Sequence, residues 1–311
     1  KSVVPLSSGT ACAIHAIMAT RNIESWKERL ITILVTPFTT CSARLPVYLI
    51  IIALVIPEGR FLGLGYQALT LMLLYLIGFG AAVISAYILN KILKIKSKSF
   101  FVVEMPNYKL PLIKNVALTV VEKTKAFVFG AGKIILAISI VLWFLASYGP
   151  GENFNNAENI VKTEYASQNL NEEELQQKIA SHKLEHSFIG LTGRAIEPAI
   201  RPLGYDWKIG VGLLASFAAR EVFVSTMGLV YGIGDDIDEA SVPLRSKIRN
   251  EINPRTGKRV YTPLVGLSLM IFFLLAAQCM STVAVVRRET RSWRWPVFMV
   301  VYMTALAWLG A

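Results

Sequence analysis

The apolar positions of this chain are bunched into long runs rather than spaced at the period of a half-buried helix or strand. LGLGYQALTLMLLYLIGFGAAVISAYIL (62–89) carries no charge over 28 residues, more than the roughly 20 a helix needs to cross a bilayer. FVFGAGKIILAISIVLWFLASYG (127–149), PLVGLSLMIFFLLAAQCMSTVAVV (263–286) and WPVFMVVYMTALAWLGA (295–311) add three further runs. Helices satisfy all their backbone groups internally, so runs of this length predict an all-α, polytopic integral membrane protein.

Other apolar segments are interrupted. LITILVTPFTTCSARLPVYLIIIALVIP (30–57) contains Pro37, the small run Thr39–Ser42, Arg44 and Pro46. A proline inside a helix removes a hydrogen bond and clashes with the preceding turn. A half-helix, a polar break and a second half-helix are therefore expected. IGVGLLASFAAREVFVSTMGLVYG (209–232) carries Arg220–Glu221 at its middle, and GTACAIHAIMATR (9–21) is too short to span. Broken helices aim free carbonyls and helix ends at ions in transporters. Proline kinks, a snorkelling arginine and a structural Arg–Glu pair are the plain alternatives. MATRN (18–22) and FAARE (217–221) echo each other weakly, which suggests an inverted repeat with re-entrant helices.

The organisation expected has four parts. Residues 1–97 hold a first gate segment and core helices, and 98–150 a cytoplasmic linker and a transmembrane helix. Residues 151–190 form an extramembrane insert, and 191–311 a second gate segment and the last transmembrane helices. In the insert, Asn171 and Glu174 have capping-box spacing, predicting a helix to about residue 186. Its stripe Leu175, Ile179, His182, His186 places two histidines at metal-binding spacing, but they continue an apolar stripe and read as packing.

Composition agrees with the pattern: 54% of the 311 residues are hydrophobic and the mean hydropathy is +0.50. The formal charge of +11 calls for no nucleic acid, because lysine and arginine collect in short loops between spans. NKILKIKSKS (90–99) and the lysines up to Lys125 belong on the cytoplasmic side, and the acidic stretch 151–178 across the membrane. The basic stretches 245–259 and 287–294 flank a single apolar segment. Either a helix there is broken or re-entrant, or the charge rule fails. The chain opens at Lys1 and reads as a piece of a longer protein.

Three cysteines cannot all pair, and each lies in an apolar segment, so reduced thiols are expected. Their neighbours are small or hydroxylic: Thr10 and Ala11, Thr40 and Ser42, Ser281 and Thr282. Thiolates suit transition metals, yet cysteine is also a small hydrophobe, and both readings stand. If residues 10–20 are helical, Cys12 and His15 share one face and can share a metal, with Met18 in packing. GAGK (130–133) lacks the remaining residues of a phosphate loop. No catalytic motif is visible, so the chain reads as a transporter, not an enzyme.

CAIHAIMATRNIESWKERLITILVTPFTTCSARLPVY (12–48), EPAIRPLGYDWKIGVGLLASFAAREVFVSTMGLVYG (197–232) and QCMSTVAVVRRETRSW (278–293) together resemble the ferrous iron transport protein B (FeoB) family. The resemblance implies Fe²⁺ import across the bacterial inner membrane. It places Cys12, Cys41 and Cys279 along the iron path and Glu221 at an acidic gate position. Thr40, Ser42 and His15 complete the candidate ligands, while Arg21, Arg44, Pro46 and Arg220 hold the gates. The family usually has proline where this chain has His15. It also carries an N-terminal GTP-binding domain, so GTP and Mg²⁺ belong to residues outside this chain. A homo-oligomer in membrane lipid and a small FeoA-like cytoplasmic partner are further implications. A gate-type transporter for a nucleoside or similar solute, and a non-transporting scaffold, are the alternatives.

Overall fold

The computed structural model describes residues 3–57, 59–61, 63–93, 112–164, 172–217, 220, 222–231, 248, 260–277 and 279–311. These are helical throughout except for loops and one small hairpin, in which Arg60–Phe61 pairs antiparallel with Leu64–Gly65. Gly63, at φ +84°, makes that turn, a conformation that only glycine adopts without strain.

Among the described residues, four helices are broken. The first runs Val3–Ser8, opens at residues 9–12 and resumes as Ala13–Ala19. The second runs Trp26–Val35, passes through a 3₁₀ turn at Thr36–Phe38 and another at Ser42–Arg44, then resumes as Leu45–Val55. The third is Trp207–Ala215 followed by Val222–Val230. The fourth is Pro263–Leu275 followed by Met280–Thr290. The basic stretch 287–294 begins within the second piece of the fourth helix. The stretch 245–259 lies almost wholly outside the described residues.

The prolines of the second helix open pieces rather than interrupt them. Pro37 lies in the first turn of Thr36–Phe38 and Pro46 in the first turn of Leu45–Val55. In a first turn the missing N–H has no partner to lose. Between them Thr39 and Cys41 are extended. The carbonyls exposed by this opening are taken up by Arg44, whose side chain is completely buried. Its Nη2 donates to Pro37 O at 2.8 Å and its Nη1 to Phe38 O at 3.4 Å. An arginine that looks like a membrane liability is what permits the break.

Close approach of the breaks depends on glycine. A Cβ on Gly9 would stand 2.3 Å from Thr39 Oγ1, and one on Gly78 would stand 3.0 Å from Thr40 Oγ1 and 3.3 Å from Phe38 O. Gly78 belongs to the long helix Tyr66–Ile92. Its 27 residues rise about 40 Å. Met72, Leu76, Phe79, Val83, Ile84 and Tyr87 on that helix are exposed, as are Leu136, Ile140 and Trp143 on Lys133–Ser147. Apolar surface on this scale marks a face turned to lipid. Trp26–Val55, Tyr66–Ile92 and Pro263–Thr290 are each long and apolar enough to cross a membrane.

Two apolar cores hold the breaks in place. One joins Val47–Ile52 with Ile209, Leu213, Phe223 and Leu269–Leu274. The other joins Ile17, Leu30, Leu34 and Phe38 with Val286, Met299 and Met303. Arg294–Gly310 contributes to the second, and its Tyr302 hydroxyl donates to Leu34 O at 2.7 Å. The GAGK stretch enters a π-helical turn, Val128–Gly132, within a helix. No phosphate loop forms there.

In the expected insert, Glu172–Glu185 is helical, and His182 and His186 stack with ring centroids 4.5 Å apart. Asn171, the proposed cap, lies outside the described residues. Ser181 Oγ donates to Val230 O at 2.8 Å and ties this region to the third broken helix. The chain returns through Arg201–Leu203 and Gly204, and Asp206 caps Trp207–Ala215 by accepting from Ile209 N–H at 2.9 Å.

Replacing Arg44 by methionine keeps the volume but orphans two buried carbonyls. The loss expected is on the order of 2–5 kcal/mol, measured as reduced thermal stability of the purified protein, with Arg44→Lys intermediate.

Candidate functional site

Each of the three cysteines sits at the same structural position, the residue just before a helical piece resumes. Cys12 (φ −154°, ψ 126°) precedes Ala13–Ala19, Cys41 (φ −83°, ψ 159°) precedes Ser42–Arg44, and Cys279 (φ −108°, ψ 108°) precedes Met280–Thr290. All three are extended, and none uses its side chain to cap the piece that follows. Ser, Thr, Asp or Asn would stabilise a helix start better. Cysteine there leaves the sulfur free to face elsewhere, and it does. Cys12, Cys41 and Cys279 line one cavity of about 220 Å³, together with Ser42, Arg220, Ser281 and Thr282.

The broken segments satisfy one another around this cavity. Ser42 Oγ donates to Ala11 O at 2.9 Å, linking the second break to the first. Met280 N–H donates to Phe217 O at 3.2 Å, linking the fourth to the third. Arg220 joins the two pairs. Its Nη2 donates to Ala276 O at 3.4 Å and its Nη1 lies 3.8 Å from Cys41 Sγ, with the residue 5% exposed. A guanidinium therefore occupies the cavity wall beside a sulfur.

Several residues singled out in the sequence stand elsewhere. His15 is exposed and does not line the cavity. The shared face with Cys12 required a helix through both, but Cys12 is extended, and Ile14, Ala16 and Ile17 turn their side of Ala13–Ala19 inward. Thr40 is buried but also absent from the lining; its hydroxyl faces Gly78. In an extended segment neighbouring side chains point to opposite sides, so Thr39 lines the cavity instead. Glu221 lies outside the described residues. Arg44 and Pro46 shape the break from behind. Among the described residues, no three histidine, cysteine, aspartate or glutamate side chains converge as a metal site. The thiols share a cavity without forming a cage.

Arg21 is remote from the cavity. Its Nε donates to Glu289 Oε2 at 3.0 Å, and Arg29 Nη2 donates to the same oxygen at 2.7 Å. Glu289 is 7% exposed and clamps the first and second broken helices to the end of the fourth. It was not among the candidates, although a signal existed: it is the single acidic residue from 263 to 311. Ser281, noted beside Cys279 in the sequence, was not carried into the candidate ligands. Its hydroxyl is buried in the cavity wall with no hydrogen-bond partner among the described residues.

Glu289→Ala should leave two arginines without a counter-charge and loosen this clamp. Arg21 is half exposed, which discounts its share, so a loss of about 1–3 kcal/mol is expected, read by thermal unfolding. The double variant with Arg29→Ala should cost less than the sum of the singles.

A family model described as "Nucleoside recognition", termed Gate, matches residues 1–55 and 128–293. A second, "Ferrous iron transport protein B C terminus", matches residues 71–123. An Fe(2+) transporter FeoB of Leptospira interrogans is 44% identical over 309 residues, covering 99% of this chain and 42% of the relative. An Fe(2+) transporter FeoB of Staphylococcus aureus is 34% identical, with 99% and 39% covered. An Fe(2+) transport protein A/Fe(2+) transporter FeoB fusion protein of Porphyromonas gingivalis is 38% identical, with 99% and 37% covered. The chain thus spans about two fifths of the length of these relatives. No solved structure matches it. Every residue lining the cavity falls within the Gate-matched stretches. With that coincidence and whole-chain similarity to FeoB sequences, the chain belongs to the Gate family and, within it, to the FeoB proteins.

Proposed function

We propose that this chain forms the membrane pathway of a ferrous iron transporter in a bacterial inner membrane. The observation that carries the reading is the convergence of Cys12, Cys41 and Cys279, one from each of three helix breaks, on a single cavity. Fe²⁺ is the cargo rather than a resident cofactor. Soft sulfur ligands favour it over Mg²⁺ and alkali metals, and the dispersed geometry suits an ion that must leave as readily as it enters. Ser42, Ser281 and Thr282 offer oxygen ligands beside the sulfurs, and Glu221 is assigned to the same path by family resemblance.

Arg220 acts as a gate in this reading. An Fe²⁺ ion about 4 Å from the guanidinium would be repelled by roughly 8 kcal/mol at an effective dielectric constant of 20. The ion and the side chain cannot share the cavity. Passage requires Arg220 to leave Cys41 and release Ala276 O, which shifts the fourth break against the third. In this reading the arrangement with Arg220 beside Cys41 is the closed state.

The remaining parts of the reading rest on family resemblance. Coupling to GTP and Mg²⁺ is assigned to a nucleotide-binding domain outside this chain. The fusion of Fe(2+) transport protein A to FeoB in one relative supports an FeoA-like partner, and a homo-oligomer embedded in lipid completes the assembly. In this reading the chain is a transporter rather than an enzyme. The Gate description also suits a nucleoside transporter; three thiols in one wall favour the metal, because a base has no need of them.

The deciding experiment is Fe²⁺ uptake, under reducing conditions, by cells lacking their own importer and expressing the full-length protein. Changing Cys12, Cys41 or Cys279 to serine should each lower uptake at least tenfold at matched membrane levels. Undiminished uptake in all three would move the path to oxygen ligands; nucleoside uptake that ignores the cysteines would favour the other reading.

A second measurement addresses the gate. Arg220→Gln should raise nucleotide-independent Fe²⁺ leak into vesicles several-fold, and Arg220→Lys should leak less. Equal leak in wild type and Arg220→Gln would show that the guanidinium does not close the path.

A further inference from the structure

A second concavity, of about 700 Å³, lies on the outer side of the fourth broken helix. Ile138, Met280, Val283 and Ala284 form its apolar wall, and Arg287, Arg288, Arg291 and Trp293 gather at one end. The polarity runs along the helix. Met280 and Arg287 are seven residues apart, about 10 Å, so the groove changes from hydrocarbon-like to cationic over the depth separating acyl chains from headgroups.

The three arginines are exposed, and none of them pairs with a carboxylate among the described residues. Their neighbour Glu289 is turned inward and already holds Arg21 and Arg29. Arg287 stacks over Trp293 with its guanidinium carbon 4.0 Å from the ring centroid. Trp293 is itself 57% exposed, as befits an indole at a membrane boundary. Arg291 ends the helix at φ 50°, ψ 26°, a left-handed position that favours glycine. An arginine held there against that preference turns a third cation toward the same end.

We propose that this groove binds an anionic phospholipid, its phosphate on Arg287, Arg288 and Arg291 and the upper part of an acyl chain along Ile138, Met280 and Val283. The charge selects an anion, and the apolar wall selects one that carries a hydrocarbon chain. Ile138 is contributed by Lys133–Ser147, a helix whose opposite face, with Leu136, Ile140 and Trp143, is apolar and exposed, so the groove is built on a helix that faces lipid. A soluble phosphate would gain nothing from that wall.

The test titrates the full-length protein in detergent with phosphatidylglycerol and with phosphatidylcholine, counting bound lipids by native mass spectrometry. Wild type should prefer phosphatidylglycerol, with about fivefold of that preference lost for each arginine replaced by glutamine. The triple lysine variant should retain most of the preference, which separates loss of charge from loss of fold. A control triple, Lys162→Gln, Lys178→Gln and Lys183→Gln, should bind as wild type does. The proposal fails if the arginine triple keeps the preference, or if the control loses it equally. It also fails if millimolar inorganic phosphate displaces the lipid, which would mark a soluble-anion site. If the arginine triple instead dissociates an oligomer while its lipid binding is unchanged, the groove is an interface between copies.

Discussion

Backbone polar groups in hydrocarbon have no water to turn to, so a helix that opens inside a membrane must find partners for every N–H and C=O it releases. Among the described residues four helices open in one region, and the openings answer one another. Ser42 bonds across to Ala11, Met280 to Phe217 and Arg220 to Ala276, while Arg44 covers Pro37 and Phe38 from within its own segment. No one of these breaks would be tolerable alone. Together they make a polar, cysteine-lined space inside an apolar body.

That mutual dependence explains where the charges are. Arg44 is structural, completely buried and spent on carbonyls of its own segment. Arg220 reaches between segments and touches a sulfur, a position with consequences for any cation. Arg21 and Arg29 meet on Glu289 and hold the outer ends of three broken helices. Arg287, Arg288 and Arg291 face outward. Arginines similar in sequence context thus do four different jobs, decided by what each one meets.

The cysteines show the same economy. A helix start ordinarily recruits a side-chain oxygen as its cap. Cysteine is a poor cap, so at all three positions some helix stability is given up and the sulfur is left to the cavity.

Much of this was legible in one dimension. Uncharged runs of membrane length establish an all-α membrane protein, because only internally bonded helices survive there, and prolines with small polar residues mark the second break. The cysteines and Arg220 announce themselves as polar groups in apolar segments. What the sequence could not decide was which way residues in the breaks point. Helical spacing made His15 a partner for Cys12, and adjacency to Cys41 made Thr40 a ligand, but the chain is extended at these breaks, which parts His15 from Cys12 and turns Thr40 to the other side from its neighbours. Contact across 179 residues between Arg220 and Cys41, or across 268 between Arg21 and Glu289, leaves no local periodic trace. Those pairings exist because tertiary packing must pair every buried charge and carbonyl, and only the folded chain shows which partner each one found.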